Sequence, residues 1–83
     1  MFDDFMIYPN PTSTSINIRY QLKQLQIGIV KIYDLLGRER LSIDLSSDVN
    51  IVSLNVNALE TGVFVYKYSV DNKTVHTGKL LKE

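Results

Sequence analysis

His76 is the one histidine in the chain, and no cysteine stands anywhere to join it. An imidazole ligates zinc or relays a proton only when further ligands or an orienting carboxylate complete the constellation. His76 lies between Val75 and Thr77 with no carboxylate adjacent, so it reads as a partly exposed strand residue. Asp3 and Asp4 invite a hard-cation reading, but two neighbouring carboxylates near a terminus more often stay solvated. No nucleophile elbow, phosphate-cradling glycine loop or Ser/His pairing is present. The sequence therefore points to no catalytic, cofactor-binding or metal-ligating set, and an enzyme is the weakest reading of it.

What remains is surface chemistry. Arg19, Arg38 and Arg40 are scattered, with Tyr20 and Tyr33 near basic residues, but nine basic and nine acidic side chains cancel. A chain without net charge has no global field to draw it to nucleic acid or an anionic membrane. One local asymmetry survives. Lys73, Lys79 and Lys82 face only Glu83 across the last segment, a small positive excess suited to an edge strand or a recognition surface.

The elements that must position these groups all show a period of two. Ile16, Ile18, Tyr20 and Leu22 alternate with polar residues, as do Leu41, Ile43 and Leu45, and again Val52, Leu54 and Val56. That is the pattern of half-buried strands. From Gly62 to Val70 both faces are largely apolar, which predicts a central strand. Breakers at Asn10-Pro11, Gly37, Ser46 to Asp48, Thr61-Gly62 and Asp71-Asn72 separate the runs. We read strands at 4–8, 15–22, 27–34, 38–45, 50–56, 62–70 and 74–82. The one helical competitor, Tyr20 to Ile27, is too short to stand alone. Short strands at this spacing predict an all-β, antiparallel β-sandwich of about seven strands.

At 83 residues the chain is read as a single domain, residues 1–83, small enough that only about 60 % of its unfolded surface can be buried. Little is left for an enclosed cavity. No apolar run approaches the roughly 20 residues of a membrane-spanning helix, and Met1 to Asp4 lacks a signal-peptide pattern. If the chain takes part in export, it is expected to be a piece excised from a larger secreted precursor, with Met1 an added start.

The breakers have specific turn chemistry. Pro9 and Pro11 lack N–H donors and Asn10 precedes a proline, so Tyr8 to Pro11 must leave a ladder. Gly37, after Leu35-Leu36 and before Arg38, suits a positive φ in a tight hairpin, and Gly62 a bend or close backbone approach. Asp71-Asn72 fits a two-residue hairpin turn.

Taken together and in order, Tyr8-Pro9-Asn10-Pro11, Ile32-Tyr33-Asp34 leading to Leu36-Gly37-Arg38, Leu59 to Gly62 before Val63-Phe64-Val65-Tyr66, and Lys79-Leu80-Leu81-Lys82 resemble the type A C-terminal sorting domain of the type IX (Por) secretion system of Bacteroidetes. The resemblance runs from Tyr8 to Lys82. It implies an immunoglobulin-like sandwich and a non-catalytic secretion signal on a cargo protein, acting in the periplasm in transit to the cell surface or the extracellular space. It also implies an outer-membrane translocon and a sortase-like transpeptidase as partners, removal of the domain after passage, and anchoring of the cargo at the cell surface. Departures from the pattern are the absence of glycine at Asp71-Asn72 and the presence of Gly78, which is expected to weaken the last strand.

Recognition is expected at Lys79, Leu80, Leu81 and Lys82. A final edge strand would offer unpaired backbone groups for strand addition, with the leucines and lysines giving selectivity. Deleting residues 78–83 is then expected to trap a fused cargo in the periplasm. The same exposed edges could pair two copies in a homodimer. The alternative reading is an immunoglobulin- or fibronectin-like adhesion or carbohydrate-binding module of a secreted enzyme, which should present a groove with several exposed aromatics.

Overall fold

The computed structural model describes residues 5–83. Seven strands form: β1 (Met6–Tyr8), β2 (Ser15–Arg19), β3 (Gly28–Tyr33), β4 (Glu39–Leu45), β5 (Ile51–Asn55), β6 (Gly62–Val70) and β7 (Lys73–Lys82). They make an antiparallel three-stranded sheet, ordered β1-β2-β5, and an antiparallel four-stranded sheet, ordered β4-β3-β6-β7. This is the seven-strand all-β sandwich that the alternation predicts, and β6 takes a central place in its sheet.

The period-two patterns set the packing. Ile16 and Ile18 from β2 and Val30 and Ile32 from β3 are fully buried, and Phe64, Tyr68 and Leu80 join them from β6 and β7. Val52 and Leu54 of β5 and Leu41 and Ile43 of β4 pack against that core from its margins. Antiparallel register keeps each inner set together: Val30 pairs with Ile43 and with Tyr68, and Phe64 pairs with Leu80. A one-residue slip would turn each of these sets out to solvent.

Two expected strands differ from the observed ones by more than one residue at an end, and the others agree to within one. Of the expected first strand at 4–8, Asp4 lies outside the described residues, as do the carboxylates of Asp3 and Asp4 considered for a cation site. The strand expected at 15–22 ends at Arg19, because the chain beyond it turns back on itself. Gln26 N–H donates to the Lys23 carbonyl and Lys23 N–H to Gln26 Oε1, with Leu25 at φ 72°. No helix forms between Tyr20 and Ile27, and the inward alternation still carries on to Leu22, which packs on the core margin beside Gly28.

The β6–β7 hairpin closes through Asp71 and Asn72 at φ 51° and 70°, the paired positive values of a type I′ turn. Asp71 also clasps the start of β3, accepting from Ile27 N–H on Oδ1 and donating its own N–H to the Ile27 carbonyl. Gly78, expected to weaken its strand, has a packing role there. It sits directly opposite Tyr66, and a Cβ there would collide with the Tyr66 ring, so the missing side chain is what admits the ring. Beside that pair, Phe5 stacks on Tyr68 at 4.2 Å between ring centroids and approaches His76 at 5.2 Å. His76 thus belongs to a ring cluster at the sandwich margin, half-buried as expected of a strand residue.

Candidate functional site

The motif residues, far apart in sequence, converge at one end of the sandwich. Register places them there: Tyr33 pairs with Val65, Val65 with Lys79, and Gly62 with Lys82. The β3–β4 hairpin loop, the start of β6, the end of β7 and the Pro9–Thr12 segment therefore lie side by side.

Asp34 organises the hairpin loop. Its carboxylate accepts from the N–H groups of Leu36 and Arg38 at 3.0 and 2.9 Å, and from Arg38 Nε at 2.7 Å. These donors favour the ionised form. The Arg38 backbone N–H is the largest influence, and with the others it holds the Asp34 carboxyl below its ordinary range. Gly37, at φ 86°, completes the reversal and donates its N–H to the Asp34 carbonyl. Arg40 carries the connection onward, its guanidinium 4.0 Å from Asp34 and 3.0 Å from Glu60 and lying over the Phe64 ring. Glu60 is likewise held below its ordinary range, first by its own backbone N–H and then by Arg40. Gly62 then enters β6 at φ 153° with open space where a Cβ would stand, so its role is the bend and not a close approach.

The Tyr8-Pro9-Asn10-Pro11 segment has a function beyond turning. Both X–Pro bonds, Tyr8-Pro9 and Asn10-Pro11, are cis, and the segment runs alongside the end of β7. Asn10 Nδ2 donates to the Lys79 carbonyl at 2.8 Å and Asn10 Oδ1 accepts from Leu81 N–H at 3.0 Å. Thr12 N–H donates to the Leu81 carbonyl and the Thr12 carbonyl accepts from Glu83 N–H, forming a parallel bridge opposite Lys82. Asn10 and Thr12 together therefore act as a short extra strand, one rung of which is a side-chain amide.

This strap corrects the expectation of an unpaired edge at the tail. β7 is an edge strand in its sheet, but the outward backbone groups at Lys79, Leu81 and Glu83 just described are already occupied. The side chains divide by strand alternation. Leu80 is fully buried against the core, and Lys82 is 9 % exposed with its ammonium donating to the main-chain oxygen of Glu83. Lys79 and Leu81 point to the opposite face, both exposed, Leu81 at 42 %. Of the four tail residues, only Lys79 and Leu81 are presented by the folded domain. The strap was not legible as such, because nothing local in Tyr8 to Pro11 names a partner some seventy positions away.

Among the described residues no cluster of His, Cys, Asp or Glu could hold a metal ion, and no helix is long and apolar enough to cross a membrane. A family profile described as "Secretion system C-terminal sorting domain" matches residues 6–83. No curated protein and no solved structure matches the chain.

Proposed function

The chain belongs to the secretion system C-terminal sorting domain family, the type IX sorting signals, and on that premise we propose how this copy serves as an address. The family assigns a C-terminal sorting role directed toward the cell surface or the extracellular space. The domain is read as a non-catalytic label on a cargo, engaged by the type IX translocon through the outer face of its tail. After passage a sortase-like transpeptidase of the same machinery removes it and anchors the cargo.

The observation that carries this reading is the division of the tail. The strap takes its outward backbone groups and the core takes Leu80 and Lys82, while Lys79 and Leu81 stand exposed on one face. Recognition of the folded domain at Lys79 to Lys82 thus runs through those two side chains and not through strand addition at that segment. Should two copies pair along β7, the half near Lys73 to Thr77, beyond the strap, is where they would do so.

The test fuses the chain to the C-terminus of a folded periplasmic reporter in a host with a type IX system. Lys79→Glu combined with Leu81→Asp alters the exposed face and leaves Leu80 in place. Retention of most of the reporter in the periplasm is expected, with the domain's thermal unfolding little changed. Secretion at the parental level by this double variant would refute the assignment.

A further inference from the structure

The outer face of the four-stranded sheet carries two adjoining shallow grooves that share the same wall. One, of about 270 Å³, is lined by Tyr33, Asp34, Leu35, Gly37, Val65 and Lys67, with the Asp34 carboxylate already engaged by Arg38. The second, of about 260 Å³, continues past Tyr33 and Lys67 to Ile29 and Lys31. Between them the Lys67 ammonium lies 5.2 Å from the centroid of the Tyr33 ring. Leu35, at the tip of the β3–β4 hairpin, is 69 % exposed at the rim.

The charges on this face are arranged against the comfort of the fold. Lys31 and Lys67 are directly opposed across the β3–β6 ladder, a like-charge pairing that costs stability. Glu39 answers Lys31 at 3.3 Å, but among the described residues no carboxylate lies within ion-pair distance of Lys67. An exposed cation is thus held over a tyrosine ring between a mainly apolar depression and a more polar one, with no described carboxylate within ion-pair distance.

We propose that this groove docks a segment of a partner protein that places a carboxylate beside an apolar side chain. The carboxylate meets Lys67, and the apolar side chain fills the depression walled by Tyr33, Val65 and Leu35. An anionic lipid surface fits less well. Membrane recognition takes clusters of about four to eight basic residues, whereas here Glu39 and Asp44 on the same face would meet the headgroups. A second copy of the chain fits less well when its two-fold axis passes through the groove, because that contact sets Lys67 against its own image. The proposal does not rest on the tail's role, since neither Lys79 nor Leu81 lines the grooves.

The experiment is an NMR titration of the 83-residue chain with two capped peptides, Leu-Glu-Val-Glu-Leu and Leu-Lys-Val-Lys-Leu, and separately with phosphatidylglycerol vesicles. The acidic peptide should shift the amides of Tyr33, Val65 and Lys67, and the basic one should not. Lys67→Glu should weaken the acidic peptide by roughly tenfold, the scale of one charge-assisted hydrogen bond, and Lys67→Gln should do so by less. Each variant is admitted only if its thermal unfolding remains cooperative. The Lys79→Glu, Leu81→Asp variant, in which residue 79 faces Val65 across the ladder, should weaken the acidic peptide less than Lys67→Glu does, whatever its secretion. Equal response to both peptides, undiminished binding by Lys67→Glu, shifts caused by vesicles alone, or self-association through this face would each overturn the proposal.

Discussion

Asn10 is the residue whose chemistry is most specific. A carboxamide offers a donor and an acceptor at the spacing of a peptide group, so one side chain can satisfy both the Lys79 carbonyl and the Leu81 N–H. Aspartate would keep only the acceptor, and alanine neither. The prolines on each side remove backbone donors from the same stretch, leaving the amide side chain to make the rung. Because Asn10 is exposed, the net value of the two bonds is modest, about 1 kcal/mol. Asn10→Ala is therefore expected to lower Tm by roughly 4–8 °C and to speed hydrogen exchange at the Leu81 amide. A Leu81 amide as protected as in the parent would show that the strap holds without Asn10. The residue types alone reported a turn at this place, since pairing by a side chain leaves no periodic trace in sequence.

At the scale of elements, the β3–β4 hairpin is a self-contained device built around one carboxylate. Asp34 gathers two backbone N–H groups and a guanidinium, so the loop is held by its ionised form. Its folded pKa lies below the unfolded value of about 3.9. The associated stability is therefore complete above that unfolded value and is lost as pH falls through the lower, folded one. Asp34→Asn, which retains an acceptor for the backbone donors but not the charge, should show a smaller Tm difference between neutral pH and about pH 3 than the parent. Thermal unfolding at the two pH values decides this, and an unchanged difference would mean that other carboxylates dominate acid sensitivity. Such local elements are what sequence conveys well. Alternation exposed the inner faces of β2, β4 and β5 because side-chain direction has the strand's own period, and Asp71-Asn72 revealed a hairpin because few residue pairs accept its backbone. The packing role of Gly78 was missed for the opposite reason. Its role exists only once Tyr66 is placed opposite it, and cross-strand register is a property of two elements together.

The whole molecule adds something neither scale contains: its first and last described strands are tied together. β1 leads directly into the strap, and the strap holds the end of β7, so the beginning and the end of the described fold are mechanically joined. The outer face with Lys67 and Tyr33 likewise emerges only from strand order, which no single run of residues discloses. This joining changes what truncation means. Removing residues 78–83 takes away Leu80, and replacing a buried leucine with a cavity alone costs about 2–5 kcal/mol. It also removes the ladder opposite Gly62 to Tyr66 and every partner of the strap. A domain of this length has only about 4–12 kcal/mol in total. The truncated chain is therefore expected to lose its cooperative thermal transition and its near-ultraviolet tyrosine signal, while Lys79→Glu with Leu81→Asp keeps both. A truncated chain that still melted sharply within a few degrees of the parent would show that the tail is an appendage to a finished fold. If the expected loss is found, a fused reporter trapped by truncation reports the collapse of the whole domain, and only the face variant isolates the address.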